Sequence, residues 1–328
     1  MSLFRTVFPQ ILLSALLVLL VGCNRSGKPV SVERPSFSGD SAYAYVEHQL
    51  AFGPRVPHSK GHTDCAVWLV QQLKRFGAQV ELQKGTLPDY AGRPQPIINI
   101  IGHFPSSVAG NPSPIILCAH YDTRAWCDEE ELYEDRTYNV PGANDGASGV
   151  AVLLEVARQI GADSSLLKQP VDIVFFDYED QGTPRIYTGV QRENTWCLGS
   201  QLFAMQYPNK QARYRFGILL DMVGAPDAVF PREMYSTQYA QNYVEQIWRK
   251  AHQLGYGRYF VDKNSFPITD DHYYLNLAGI PCVDIIHYDT QYATGFASWW
   301  HTRQDNIQNV DKSTLQAVGE VVLSVVAN

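Results

Sequence analysis

Between residues 63 and 76, Ala66, Leu69, Val70 and Leu73 recur at three- and four-residue steps, which puts them on one face of an amphipathic helix. Thr63 is placed to cap that helix and Gly77 to end it. Short apolar runs follow at 97–101, 115–119, 171–176, 216–220 and 282–286. Each is bounded by Pro, Gly or polar residues and has the length of a buried strand. Helical spacing returns at 150–160, 241–254 and 314–325, with Gly161 and Gly255 as stops. Strand runs that are mostly apolar, rather than alternating, belong to a sheet covered on both faces. The order of strands and helices therefore predicts an α/β fold, a single domain with a central, mixed but mostly parallel sheet between helices. No internal repeat interrupts the pattern, and the domain is expected to occupy 38–328.

The start of the chain follows another pattern. Arg5 precedes an apolar stretch over 11–21, and Leu20, Val21 and Gly22 lead into Cys23. This is the layout of an export signal over 1–22, with an apolar stretch short for a membrane span. A small residue before a Cys, directly after the apolar run, resembles the lipobox of bacterial lipoproteins, which implies cleavage before Cys23 and lipidation of that residue. Residues 23–37, including Arg25, Gly27, Pro29, Ser31 and Pro35, lack periodicity and read as the lipidated N-terminus and a tether. The expected location is the periplasmic side of a membrane, with the lipid as the only membrane contact.

Composition narrows the function. Of 328 residues, 45% are hydrophobic and 18% charged, which excludes a disordered or fibrous chain. Lys and Arg number 26 against 33 Asp and Glu, so the net charge is 26 − 33 = −7 and no basic field exists to hold a nucleic acid. Export permits disulfides, but removing Cys23 from six cysteines leaves five: Cys65, Cys118, Cys127, Cys197 and Cys282. An odd number leaves a thiol unpaired, and without a CxxC pair these residues read as small buried hydrophobes rather than zinc ligands.

Polar chemistry gathers after the strand runs. His120, Tyr121 and Asp122 follow 115–119; Asp177, Tyr178, Glu179 and Asp180 follow 171–176; Asp221 follows 216–220. Ligands of open α/β sheets bind beyond the carboxyl ends of strands, so three strands are expected to bring carboxylates to one edge. A fourth acid, Asp145, sits in a run of small residues over 142–149, where the backbone can approach a partner closely. His301 follows Trp299 and Trp300, and imidazole is a common metal ligand. Zinc takes His nitrogen and carboxylate oxygen, and a catalytic site uses three protein ligands with one position open. Asp145, Asp180 and His301 meet that requirement. Each acid alone also reads as a turn former or helix cap, and it is their convergence that points to a metal. Asp177 is left as structural, and His48, His58, His62, His103 and His252 are given no role.

In this order along the chain, HYD at 120–122, GANDGASG at 142–149, FFDYED at 175–180, LLDMVGAP at 219–226, TDDHYYL at 269–275 and WHTRQDN at 300–306 resemble the zinc-dependent glutaminyl-peptide cyclotransferases. Those enzymes have the fold of zinc aminopeptidases. The resemblance implies that Asp145, Asp180 and His301 hold one zinc, with Glu179 as acid/base and Asp221 and Asp271 in its hydrogen-bond network. It also implies that Trp300 and Phe296 wall the substrate pocket. Trp196 lies in the loop that carries another pocket indole, though not at the aligned spacing. Three departures, Asp180 where the animal enzymes have Glu, Asp284 where they have His, and a missing second cysteine of their disulfide, imply a bacterial branch.

The implied activity converts an N-terminal Gln of peptides or proteins to pyroglutamate with release of ammonia. Wider aminopeptidases share His120, Asp145, the acid pair, Asp221 and His301, where they bind two zinc ions, so His120 is a second-metal or supporting residue. Hydrolysis of the first peptide bond at a dinuclear site is the alternative activity, and a lipoprotein that binds peptide or metal without turnover is a third. The stretch DMVGAP at 221–226 and the triplet Asp270, Asp271 and His272 favour the cyclotransferase.

Overall fold

The computed structural model describes residues 36–106, 108, 112–207 and 213–327. The expected export signal over 1–22, Cys23 and the tether up to residue 35 lie outside the described residues.

Among the described residues, eight strands and seven α-helices follow in the order α1 (Gly39–Leu50), α2 (Lys60–Arg75), β1 (Gln79–Pro88), β2 (Pro94–Phe104), β3 (Ile115–His120), α3 (Ala147–Ala162), β4 (Val171–Phe176), α4 (Leu198–Ala204), β5 (Phe216–Asp221), β6 (Phe230–Arg232), α5 (Met234–Gln253), β7 (Phe260–Asn264), α6 (Asp271–Leu277), β8 (Cys282–Ile286) and α7 (Lys312–Val326). The central sheet has the strand order β1-β2-β4-β3-β5-β8. Strands β4, β3, β5 and β8 run parallel, while β2 is antiparallel to both β1 and β4. Strands β6 and β7 form a separate two-stranded pair. The α/β architecture expected from the sequence is the one observed.

Alternation along the strands separates two cores. Ile115, Leu117, Val171, Ile173, Phe175, Ile218, Leu220 and Val283 pack with α1, α2, α3, α5 and α7. Their neighbours Ile116, Cys118, Val174, Phe176, Leu219 and Cys282 face the other way, against Phe203 of α4 and Leu275 of α6. Both faces of β3, β4, β5 and β8 are therefore buried, which is why these strands read as mostly apolar runs, interrupted inside β4 by Asp172 and inside β8 by Asp284. Each fully buried Leu, Ile or Phe contributes about 1.5–3 kcal/mol to holding the layers together. All five described cysteines are buried and none is in a disulfide.

Several local expectations are corrected. The cap of α2 is Ser59, whose side chain accepts from His62 N, and Thr63 lies inside the helix. Gly161 does not stop α3: it is helical, and a side-chain carbon there would lie 2.0 Å from Phe76 O, so glycine is needed for close packing. Phe37, expected in the tether, is buried, its ring fills the space above Gly319 of α7, and its carbonyl accepts from Gln316 Nε2 at 2.9 Å. Among the described residues no helix is long and apolar enough to cross a membrane.

Candidate active site

Because β3, β4 and β5 are parallel, their carboxyl ends open on one edge of the sheet. His120 ends β3 and Asp221 ends β5. The chain leaves β4 through Tyr178, held at φ +56°, and the acids on either side of it part company. Asp177 turns inward, accepting from His62 Nε2 at 2.8 Å and from Ile98 N at 2.9 Å, a structural role. Glu179 and Asp180 instead line a cavity of about 710 Å³, together with Asp145, Asp221, Asp270, Trp196, Phe296, Trp300 and His301.

Asp145 reaches this cavity from the loop that precedes α3. Gly146 caps the helix at φ +95°, and a side-chain carbon there would lie 2.8 Å from Asp122 O and 3.2 Å from His120 Cε1. Only glycine lets the loop come this near. Asp305 fixes the loop from the other side, accepting from Asn144 N at 2.8 Å and Asp145 N at 3.0 Å. Asp122 does the same for the acid pair, accepting from Glu179 N at 3.0 Å and Asp180 N at 3.2 Å.

Two triads of buried ligand groups share Asp145: His120, Asp145 and Asp221, and Asp145, Asp180 and His301. His120 Nε2 lies 3.1 Å from Asp145 Oδ1 and 3.2 Å from Asp221 Oδ1. His301 Nε2 lies 3.0 Å from Asp180 Oδ1 and 3.4 Å from Asp145 Oδ2. Bonds of about 2.0–2.2 Å to a tetrahedral zinc set neighbouring ligand atoms about 3.3–3.6 Å apart, within a few tenths of an ångström of these separations. Asp180 Oδ2 is also buried without a hydrogen-bond partner, as an atom awaiting a cation would be. Nitrogen and carboxylate donors, spacing and orphaned oxygen together fit zinc.

Charge in the site is strongly coupled. Burial opposes a proton on His301, but Asp180 and Asp145 outweigh it and raise the imidazole to about 9. Burial would raise Asp145, yet His120 and His301 hold it below the usual carboxylate range. Glu179 lies well above that range because burial dominates, with His120 pulling down and Asp270 and Asp180 pushing up.

The structure distinguishes the two acids that open α6. Asp270, its cap, lines the cavity, whereas Asp271, the first helical residue, is wholly buried and outside the cavity lining. Asp270 therefore takes the place beside Glu179 expected of Asp271; burial first and Asp221 second push its carboxyl up to about 7. Trp300 stacks on His301 with ring centroids 3.7 Å apart, and Phe296 lies 4.6 Å from Trp300. Trp196 reaches the cavity despite its shifted spacing, parallel to His301 within 4° and 4.4 Å from the Arg124 guanidinium. Arg124, unassigned in the sequence reading, is buried and donates from Nη1 to Asp180 O at 2.8 Å and from Nε to Asp128 Oδ2 at 2.8 Å. It ties one wall of the pocket to the acid pair.

A mixed, mostly parallel α/β sheet with paired His and Asp triads at the carboxyl edge of its parallel strands defines the class of zinc-exopeptidase-like enzymes. The model of peptidase family M28 matches residues 99–326, and the chain belongs to that family. The structure of Tannerella forsythia glutaminyl cyclase is 44% identical, with a TM-score of 0.84, covering 90% of this chain and 99% of that one. A Zn-dependent exopeptidase from Parabacteroides distasonis is equally similar, at 44% identity and TM-score 0.84, covering 90% and 100%. The glutaminyl-peptide cyclotransferase of the snake Boiga irregularis is 25% identical over 231 residues, 63% of this chain. The match spans about 60% of the length of that relative.

Proposed function

We propose that the protein is a glutaminyl-peptide cyclotransferase, closing an N-terminal Gln of peptides or proteins to pyroglutamate and releasing ammonia. The observation that carries this reading is the asymmetry of the two triads: Asp145, Asp180 and His301 all line the cavity, whereas His120 does not. One zinc at the cavity-facing triad suffices for cyclisation, and the similarity to bacterial glutaminyl cyclases supports the same choice. A dinuclear aminopeptidase is the second reading, favoured by Asp145 facing both triads.

When bound by Asp145, Asp180 and His301, zinc would supply Lewis-acid polarisation of the amide oxygen. The remaining work falls to side chains. The substrate's α-amine and γ-carboxamide are already joined, so the pocket has only to hold them in contact. Phe296, Trp300 and Trp196 give that pocket apolar walls that keep water out. Glu179 takes a proton from the amine as the new C–N bond forms and returns it to the departing nitrogen, which leaves as ammonia. Its raised affinity for protons suits a group that must both accept and give one. Asp270 and Asp221, also at the cavity, are placed to receive hydrogen bonds from the leaving amide nitrogen.

The location proposed with this function is outside the cytoplasm, with 1–22 as export signal and Cys23 as lipidated residue; the sequence pattern at the start of the chain supports it. Metal removal tests the mononuclear reading. Chelated protein is expected to lose cyclisation and to recover it fully with one equivalent of zinc per chain. Recovery that needs a second equivalent would favour the aminopeptidase.

A further inference from the structure

We propose that Cys197 is a positioning residue for Glu179, its thiol orienting the carboxyl for proton transfer; this rests on the acid/base role of Glu179 given above. Cys197 Sγ donates to Glu179 Oε1 at 3.1 Å, and both side chains are buried. Among the described residues this thiol is the carboxyl's one hydrogen-bond partner. The backbone adds a second link, since Cys197 N donates to Glu179 O at 2.8 Å. The two residues, 18 apart in sequence, are therefore fastened to each other through both main chain and side chain.

The identity of residue 197 is otherwise unaccounted for. It precedes α4 at φ +58°, ψ 37°, a left-handed conformation that glycine or asparagine ordinarily supplies. It occupies the cap position, where Ser, Thr, Asp or Asn would satisfy the first N–H groups, and its side chain makes no capping bond. The thiol serves Glu179 instead. As a weak donor, S–H restrains a carboxylate with three rotatable bonds without strongly stabilising its charged form.

Two substitutions separate positioning from packing. Alanine and serine meet the same left-handed backbone as cysteine, so strain cancels in the comparison, but only serine keeps a donor. Cys197→Ala is expected to lower kcat on a Gln-initiated peptide about five- to tenfold, the effect of losing one ordinary hydrogen bond, with KM and zinc content unchanged. Cys197→Ser is expected to return kcat to within about threefold of the parent. A merely structural cysteine predicts no such rescue, because serine and alanine then lose the same sulfur packing. Equal kcat losses in both variants, losses that follow Tm or zinc content, or an unchanged kcat in Cys197→Ala would each overturn the proposal.

A parent protein that leaves the Gln-initiated peptide unchanged would count against the cyclotransferase reading rather than the contact. The contact has its own signature in the infrared S–H stretching band. That band should disappear in Cys197→Ala and shift in Glu179→Gln, where an amide replaces the carboxyl as its acceptor. A band that Glu179→Gln leaves in place would show that the thiol does not bond Glu179.

Discussion

Glu179→Gln is expected to lower turnover of a Gln-initiated peptide by about a thousandfold while the protein keeps its zinc, a loss within the range for removing a general acid/base. Glu179 lines the cavity but belongs to neither triad that shares Asp145. Gln preserves its shape and can accept the thiol's hydrogen bond, but it cannot take a proton from the amine. The fold should be unaffected, because Asp122 holds residue 179 through its backbone N–H rather than its side chain. Paired measurement of kcat and metal content checks both halves. Loss of zinc in this variant would mean that Glu179 is a ligand and that its assigned role is wrong.

His301→Ala should fail in the opposite way, by releasing the metal. His301 supplies the only nitrogen of the cavity-facing triad, and two carboxylates alone make a weak zinc site. Turnover is expected to fall at least about a thousandfold along with the zinc, leaving Asp145 and Asp180 to repel each other without an intervening cation. His120→Ala is the informative companion. His120 is buried outside the cavity lining, so that variant is expected to keep one zinc and lose about tenfold in kcat through looser support of Asp145 and Asp221. Stoichiometric zinc in His301→Ala would show that the ligand is misassigned. Equal collapse of both variants would point to two metals acting together.

The difference between what the sequence displays and what it hides has physical causes. β4 and β8 are legible to the residue because both faces are buried, so hydrophobicity alone marks their ends. β1 is not, because it is the sheet's edge and is mostly exposed, with Glu81 and Lys84 along it. α1 hides for a related reason: its buried side consists of Gly39, Ala42, Val46 and Gln49, too small and too polar to form an apolar stripe.

In the site, His120 and Asp221 are legible because each ends an apolar run and three such runs are parallel. The choice between Asp270 and Asp271 is not, since adjacent acids look alike until the cap geometry of α6 sends them to different places. Trp196 comes to the pocket between left-handed residues at Asn194 and Cys197, and the second is a conformation that its residue type does not announce. Arg124 and Cys197 reach the acid pair across more than ten positions of sequence, and no periodicity records such contacts.

The most direct test of the account is the mass of a short Gln-initiated peptide after incubation with the zinc-loaded protein. Cyclisation predicts a product lighter by one ammonia, still carrying its first residue and now resistant to amine-labelling reagents. A product lacking the whole first residue would establish hydrolysis and contradict the cyclotransferase assignment.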